Sequence, residues 1–125
     1  MAASEDRPLD GVRVLVVEDE ALVAMLLEDM LGDLGAIVTA TTGTVEEAVA
    51  KVRTGGLDVA ILDVNLGAQS SAPVAEALKA ANTPFVFATG YGESGVPEAF
   101  RGRPALQKPY GMNDVQRLLS AAVGR

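Results

Sequence analysis

The chain has 125 residues, 17 acidic against 10 basic side chains for a formal charge of −7, and no His, Cys or Trp. That length fits one domain, and the missing residue types exclude disulfides, thiolate or imidazole metal sites and Ser-His chemistry, so any metal must be held by oxygen, as Mg²⁺, Mn²⁺ or Ca²⁺ are. The acidic balance argues against general nucleic-acid or anionic-membrane binding; with no apolar run near 18 residues and a polar start, Met1–Arg7, that does not read as a signal peptide, a cytoplasmic protein is expected.

Val14-Leu15-Val16-Val17 is an unbroken apolar run rich in β-branched residues, the pattern of a strand buried on both faces. A helix follows from about Glu20 to Leu34, with Leu22, Leu26 and Met30 at i, i+4, i+8, a stripe widened by Val23, Leu27, Leu31 and Leu34; Gly35 can close it. Ile37–Ala40 is a second strand. Thr44-Val45-Glu46-Glu47 has the T-x-x-E capping-box form and opens a helix to about Arg53. Val59–Leu62 is a third strand, Asn65–Ser71 a polar loop, Pro73–Ala81 a helix and Phe85–Ala88 a fourth strand. The stretch from Gly90 to Pro104 holds four glycines and two prolines, so only a short or irregular helix is expected there. Ala105–Gln107 is a short fifth strand and Met112–Val123 an amphipathic last helix.

Alternating strands and helices with continuously apolar strands imply a doubly wound α/β fold, a five-stranded parallel sheet with helices on both faces. Ligands of such folds bind outside the carboxyl ends of the strands. There this chain places Glu18-Asp19 (strand one), Asp63 (strand three), Thr89 (strand four) and Lys108 (strand five). Two carboxylates about 5 Å apart repel by roughly 3 kcal/mol at an effective dielectric of 20, so three in one pocket call for a cation or a raised pKa. Mg²⁺ suits one or two carboxylates plus waters and phosphate oxygens. A carboxylate is also a nucleophile toward phosphoryl groups, with a metal, Lys108 and the Thr89 hydroxyl to stabilise the phosphoryl oxygens. Asp63, on the central strand, is the candidate acceptor. Taken singly, each residue has an ordinary explanation: Glu18-Asp19-Glu20 as a helix N-terminus, Asp63 and Thr89-Gly90 as turns, Lys108 as a surface cation. The combination points to chemistry.

Val14–Glu20, Asp58–Leu66, Ala88-Thr89-Gly90 and Lys108-Pro109-Tyr110, in this order, resemble the signature segments of the response-regulator receiver domain over about residues 11–123. The resemblance implies a flavodoxin-like sheet of strand order 2-1-3-4-5. It makes Asp63 the phosphoacceptor and Glu18, Asp19, Asp63 and the backbone carbonyl of Asn65 the Mg²⁺ ligands, with Mn²⁺ as a substitute. Thr89 becomes the switch hydroxyl, Lys108 the family's lysine, and the Asn65 side chain a modulator of phosphoryl lifetime. Glu18 stands for the commoner Asp. Ala105 takes the place of the aromatic switch residue three positions before the lysine, and Tyr91 is a candidate replacement. The segment Pro84–Tyr91 resembles the FAT GUY subgroup of alphaproteobacterial receivers, often a receiver alone.

On this reading residues 1–10 are a flexible N-terminal tail and residues 11–125 a receiver domain with no output domain after it. The partners expected are a histidine kinase, of the HWE or a related type, or a phosphotransfer protein, in stress signalling, and an unidentified downstream protein. The 90–104 segment, strand five and the last helix form the expected docking face, with Phe100, Arg101, Arg103 and Tyr110 as contacts. Direct DNA binding or a fused enzyme is not expected, and the only catalysis expected is the domain's own phosphorylation and dephosphorylation. Two competitors are a small Mg²⁺-dependent phosphohydrolase of the haloacid-dehalogenase type, which wants a second Asp where Asn65 stands, and a degenerate receiver scaffold.

Overall fold

The computed structural model describes residues 8–67, 69–90, 100 and 105–124. Among the described residues there are seven strands, β1 (Arg13–Val17), β2 (Ile37–Thr42), β3 (Val59–Asp63), β4 (Asn65–Leu66), β5 (Gln69–Ser70), β6 (Phe85–Thr89) and β7 (Ala105–Gln107), and four helices, α1 (Ala21–Asp33), α2 (Val45–Thr54), α3 (Ala72–Ala80) and α4 (Met112–Val123). Five strands form one sheet in the order β2-β1-β3-β6-β7, every pairing parallel. Setting the β4-β5 ladder aside, this is the expected doubly wound order 2-1-3-4-5.

The strand sequences explain their places. β3 and β6 are buried along their whole length, and β1 after its first residue. Their side chains alternate between two cores. Val14, Val16, Ile61, Val86 and Ala88 meet Leu27 and Leu31 of α1 and Val115 and Leu119 of α4. Leu15, Val17, Ala60, Leu62, Phe85 and Phe87 meet Ala48 and Val52 of α2 and Val74, Ala75 and Leu78 of α3. β2, at the sheet edge, alternates instead between exposed and half-buried residues until it reaches buried Thr42. It runs two residues past Ala40 because β-branched Thr41 and Thr42 continue the register against Val16 and Val17.

The helix ends follow their sequence signals. After α1, Gly35 (φ +88°) takes the left-handed position; its N–H donates to Gly32 O and that of Ala36 to Leu31 O, a Schellman closure. At α2 the Thr44 hydroxyl accepts from Glu47 N at 3.2 Å. The return bond of the box goes to Gly43 N, 3.4 Å from Glu47 Oε1, rather than to Thr44 N.

Several expectations need correction. Residues 1–7 lie outside the described residues, but Leu9, expected in the tail, is fully buried; its N–H donates to Leu34 O at 3.2 Å. A lone Leu has no periodicity to announce it, and its packing against Leu34 is purely tertiary. The expected loop 65–71 contains the antiparallel β4-β5 ladder, Asn65 opposite Ser70 and Leu66 opposite Gln69. The stripe on α1 is wider than the core it meets: Leu27 and Leu31 are buried, whereas Leu22, Met25 and Leu26 are exposed, Leu22 at 81%. Phe100 and Tyr110, expected as docking contacts, are both buried; Phe100 stands edge-on to Phe85 and Phe87, each ring 6.0 Å away. Apart from Phe100, the stretch 91–104, with the expected irregular helix, Tyr91, Arg101 and Arg103, lies outside the described residues. No helix among the described residues is long and apolar enough to cross a membrane.

Candidate functional site

Because β1, β3, β6 and β7 run parallel, their carboxyl ends share one edge of the sheet. Asp63 ends β3, Thr89 ends β6, and Lys108 follows β7 directly. Glu18 continues from β1, its N–H donating to Thr42 O at 2.9 Å. Lys108 is aligned through its own N–H, which donates to Thr89 O at 2.9 Å. The loop after β3 is tied down by Ser71, whose hydroxyl donates to Val64 O at 3.0 Å. Gly67, at φ +63°, turns that loop over the Asp19 carboxylate.

The side chains meet around the lysine. Lys108 Nζ lies 3.0 Å from Glu18 Oε1, 3.1 Å from Asp63 Oδ2 and 3.7 Å from Glu20 Oε1. The other oxygens are held by backbone: Asp63 Oδ1 accepts from Asn65 N at 3.3 Å, and Glu18 Oε2 from Glu20 N at 3.2 Å. The Tyr110 hydroxyl lies 3.5 Å from Glu18 Oε1. Glu18, Asp63 and Thr89 are all buried. In front of them opens a pocket of about 450 Å³ lined by Asp19, Glu20, Asp63, Val64, Asn65, Gly67, Gly90 and Lys108.

Burial and crowding shape the charges. Glu18 is pushed up to about 7, first by desolvation, then by its neighbour Asp63, with Lys108 pulling the other way. Burial by itself would lower Lys108, but the hydrogen bonds to Glu18 and Asp63 outweigh it and hold the ammonium above its ordinary range. The Tyr110 phenol is raised, mainly by burial and then by the Glu18 and Asp63 charges, so it stays protonated and can only donate to a carboxylate.

One carboxylate oxygen from each of Glu18, Asp19, Glu20 and Asp63 lies within 4.8 Å of the others. Hard oxygen donors at this spacing, with one cation already among them, fit a small divalent ion. Asp63 is the carboxylate with both oxygens oriented by hydrogen bonds that also faces the open pocket, the geometry of an acceptor for an incoming electrophile.

The structure thus brings together Glu18, Asp19, Asp63, Asn65, Thr89 and Lys108. Two residues acquire places the sequence reading did not assign. Glu20, read only as the start of a helix, lines the pocket; the acidic triplet Glu18-Asp19-Glu20 was the available signal. Tyr110, read as a surface contact, points its hydroxyl at Glu18, and nothing local in Lys108-Pro109-Tyr110 marks that.

Comparison with known proteins agrees with this architecture. The solution structure of SdrG from Sphingomonas melonis Fr1 is 51% identical, with a TM-score of 0.81 over 92% of this chain and 98% of that one. The response regulator PhyR from Brucella abortus is 28% identical, with a TM-score of 0.82 over 98% of this chain but 52% of that one. Among curated relatives, the transcriptional regulatory protein PdtaR of Mycobacterium tuberculosis is 30% identical over 90% of this chain. The phyllosphere-induced regulator PhyR of Methylorubrum extorquens is 32% identical over 90% of it. The chain spans 57% and 44% of the length of those two relatives. The similarity to SdrG and PhyR is consistent with the subgroup resemblance carried by Pro84–Tyr91. Residues 14–119 match the response regulator receiver domain, and the chain belongs to that family of two-component signalling proteins.

Proposed function

We propose that this receiver takes a phosphoryl group on Asp63 from a phosphohistidine of a histidine kinase or phosphotransfer protein. It then acts through protein contacts or as a phosphate shuttle or sink. The observation that carries the reading is the environment of Asp63: buried, open to the pocket, 3.1 Å from Lys108 Nζ and grouped with three further carboxylates.

In the transfer, an Asp63 carboxylate oxygen forms the new O–P bond while the donor's N–P bond breaks, its electron pair returning to the imidazole. Asn65 N–H and Lys108 hold the two Asp63 oxygens so that the carboxylate does not rotate away. Asp19 and Asp63, with Glu18 behind them, the Asn65 carbonyl beside them and Glu20 at the rim, would hold Mg²⁺ or Mn²⁺. Bound there, the ion neutralises phosphoryl oxygens. Lys108 stands ready to leave Glu18 for a phosphoryl oxygen, and its backbone tie to Thr89 passes that movement to the end of β6. Thr89, buried at the same edge, supplies a hydroxyl to the phosphoryl group, and Tyr91 completes the switch in place of the aromatic absent at Ala105. SdrG, similar to this chain, has a solved BeF3-activated conformation, which supports a phosphorylation-driven change here. PhyR of Bartonella quintana is described as an anti-anti-sigma factor, which supports a stress-signalling partner. A donor kinase of the HWE or a related type and a cytoplasmic location belong to the same reading, as does the view that the chain catalyses only its own phosphorylation and dephosphorylation. Asn65 stands where a phosphohydrolase of the haloacid-dehalogenase type needs its second Asp, and the intact acid and lysine set speaks against a degenerate scaffold.

The start of α1, which follows Glu20 at the pocket rim and exposes Leu22, Met25 and Leu26, offers the phosphodonor an apolar surface beside Asp63. Incubation with acetyl phosphate and Mg²⁺ tests the reading. Stoichiometric labelling, lost in Asp63→Asn and without metal, is expected; label that survives Asp63→Asn overturns it.

A further inference from the structure

We infer that Tyr110 is a positioning residue for the acidic pocket: its hydroxyl holds the Glu18 carboxylate in the orientation in which that carboxylate serves a bound divalent ion. The inference rests on the reading of this pocket as a Mg²⁺ site.

Glu18 is the deepest of the pocket's acids, and its long side chain needs fixing at the far end. Its Oε2 is held by Glu20 N–H. Its Oε1 has two donors, Lys108 Nζ at 3.0 Å and the Tyr110 hydroxyl at 3.5 Å. Both donors come from the turn after β7, on either side of Pro109. They differ in what they can do later. Lys108 is shared with Asp63 and is the group that a phosphoryl oxygen will draw away. Tyr110 makes no hydrogen bond to Asp63 among the described residues. Its ring is packed in the core formed by β1, α1 and α4, so its hydroxyl stays beside Glu18 when the lysine moves. A buried hydroxyl needs a partner, and the contact at 3.5 Å with Glu18 supplies it. The contact also depends on length at position 18: an aspartate, one methylene shorter, draws the carboxylate back from the phenol.

This last point gives the test. Mg²⁺ affinity is measured by isothermal titration calorimetry for wild type, Tyr110→Phe, Glu18→Asp and the double variant carrying both substitutions. With Glu18 intact, loss of the hydroxyl weakens Mg²⁺ binding about three- to tenfold. In the Glu18→Asp background the same substitution changes it less than about twofold, because the double-mutant cycle isolates the contact. An unchanged affinity in Tyr110→Phe, or equal losses in both backgrounds, overturns the inference and assigns the phenol to packing alone. A second measurement keeps Tyr110 intact: the protein is labelled with 3-fluorotyrosine, and Tyr91→Phe identifies the Tyr110 resonance. In metal-free protein that resonance moves on Glu18→Asp; a resonance indifferent to this change overturns the inference without reference to any folding defect. Wild-type labelling by acetyl phosphate is followed in parallel. If wild type binds Mg²⁺ and is labelled while Tyr110→Phe behaves identically, only the role of Tyr110 fails. If wild type does neither, the functional reading fails and this inference with it.

Discussion

The two edges of the parallel sheet carry ion pairs of the same kind and put them to different use. At the amino-terminal edge, Arg13 opens β1 and meets Asp58 just before β3, Nε to Oδ2 at 3.3 Å, with side chains 51% and 38% exposed. At the carboxyl edge, Lys108, 20% exposed, meets Glu18 and Asp63, which are 2% and 7% exposed. Water screens the first pair, so it contributes about 0–1 kcal/mol. The second pair is removed from water and shares its cation among several acids. Its free energy resides in perturbed protonation and in stored repulsion that a metal or a phosphoryl group can relieve. Burial separates a screened surface clasp from a cluster whose charges perturb one another.

Removing the cation from the buried edge sharpens the contrast most. Lys108→Met leaves Glu18 and Asp63 facing one another, and a loss of about 3 kcal/mol is expected from urea unfolding at pH 8 without metal. The loss shrinks at pH 5.5, where Glu18 carries a proton. A pH-independent loss below about 1 kcal/mol would break the comparison.

Wild-type stability should depend on pH through Glu18 itself. Its folded value, about 7, lies above the ordinary 4.5, so between those values the native state binds more protons than the unfolded chain. Stability therefore falls as pH rises through that window, by up to ~3 kcal/mol, and levels off above it. Thermal melting without metal from pH 4 to 9 checks this. Millimolar Mg²⁺ should stabilise more at pH 8 than at pH 5, because it binds the ionised acids. Glu18→Gln should remove most of the slope.

The exposed start of α1 offers a smaller effect, on recognition alone. Leu22→Lys with Met25→Lys should lower transfer from a partner phosphohistidine about tenfold, as loss of apolar interface contacts does. Labelling by acetyl phosphate should stay at wild-type rate, with stability within about 0.5 kcal/mol. Equal rates with both donors would remove α1 from the docking surface.

The smallest effect belongs to the solvated edge. Arg13→Ala should cost under about 1 kcal/mol at any pH from 5 to 9. Asp58→Ala should cost more, because its carboxylate also accepts the Arg13 backbone N–H at 2.8 Å. Chemical unfolding of the two variants separates the exposed charge pair from the backbone bond.

Much of this was legible in advance. The runs Val14–Val17, Val59–Leu62 and Phe85–Ala88 announce strands covered on both faces, and Thr44 with Glu47 announces the start of α2. What resisted were features whose cause lies far away in the chain. Leu9 is a core residue because Leu34 and the base of the sheet leave a space for it. Leu22 and Leu26 lie on an apolar stripe wider than the one that Leu27 and Leu31 bury, and periodicity does not say how much of a stripe the sheet will cover. Two-residue strands such as β4 and β5 are too short for any periodicity.

The candidate site divides in the same way. Sequence alone determined that Glu18, Asp19, Asp63, Thr89 and Lys108 end strands or directly follow them, and the alternation of strands with helices sends parallel strand ends to one edge. Tertiary structure decided the electrostatics. It set Glu18 behind Asp19, spread one ammonium over two buried carboxylates, brought Glu20 to the rim and aimed the Tyr110 hydroxyl at Glu18 across 92 positions of the chain. Periodicity is a local property and survives in one dimension. Desolvation and charge sharing depend on every group within a few ångströms, and only the folded chain brings those groups together.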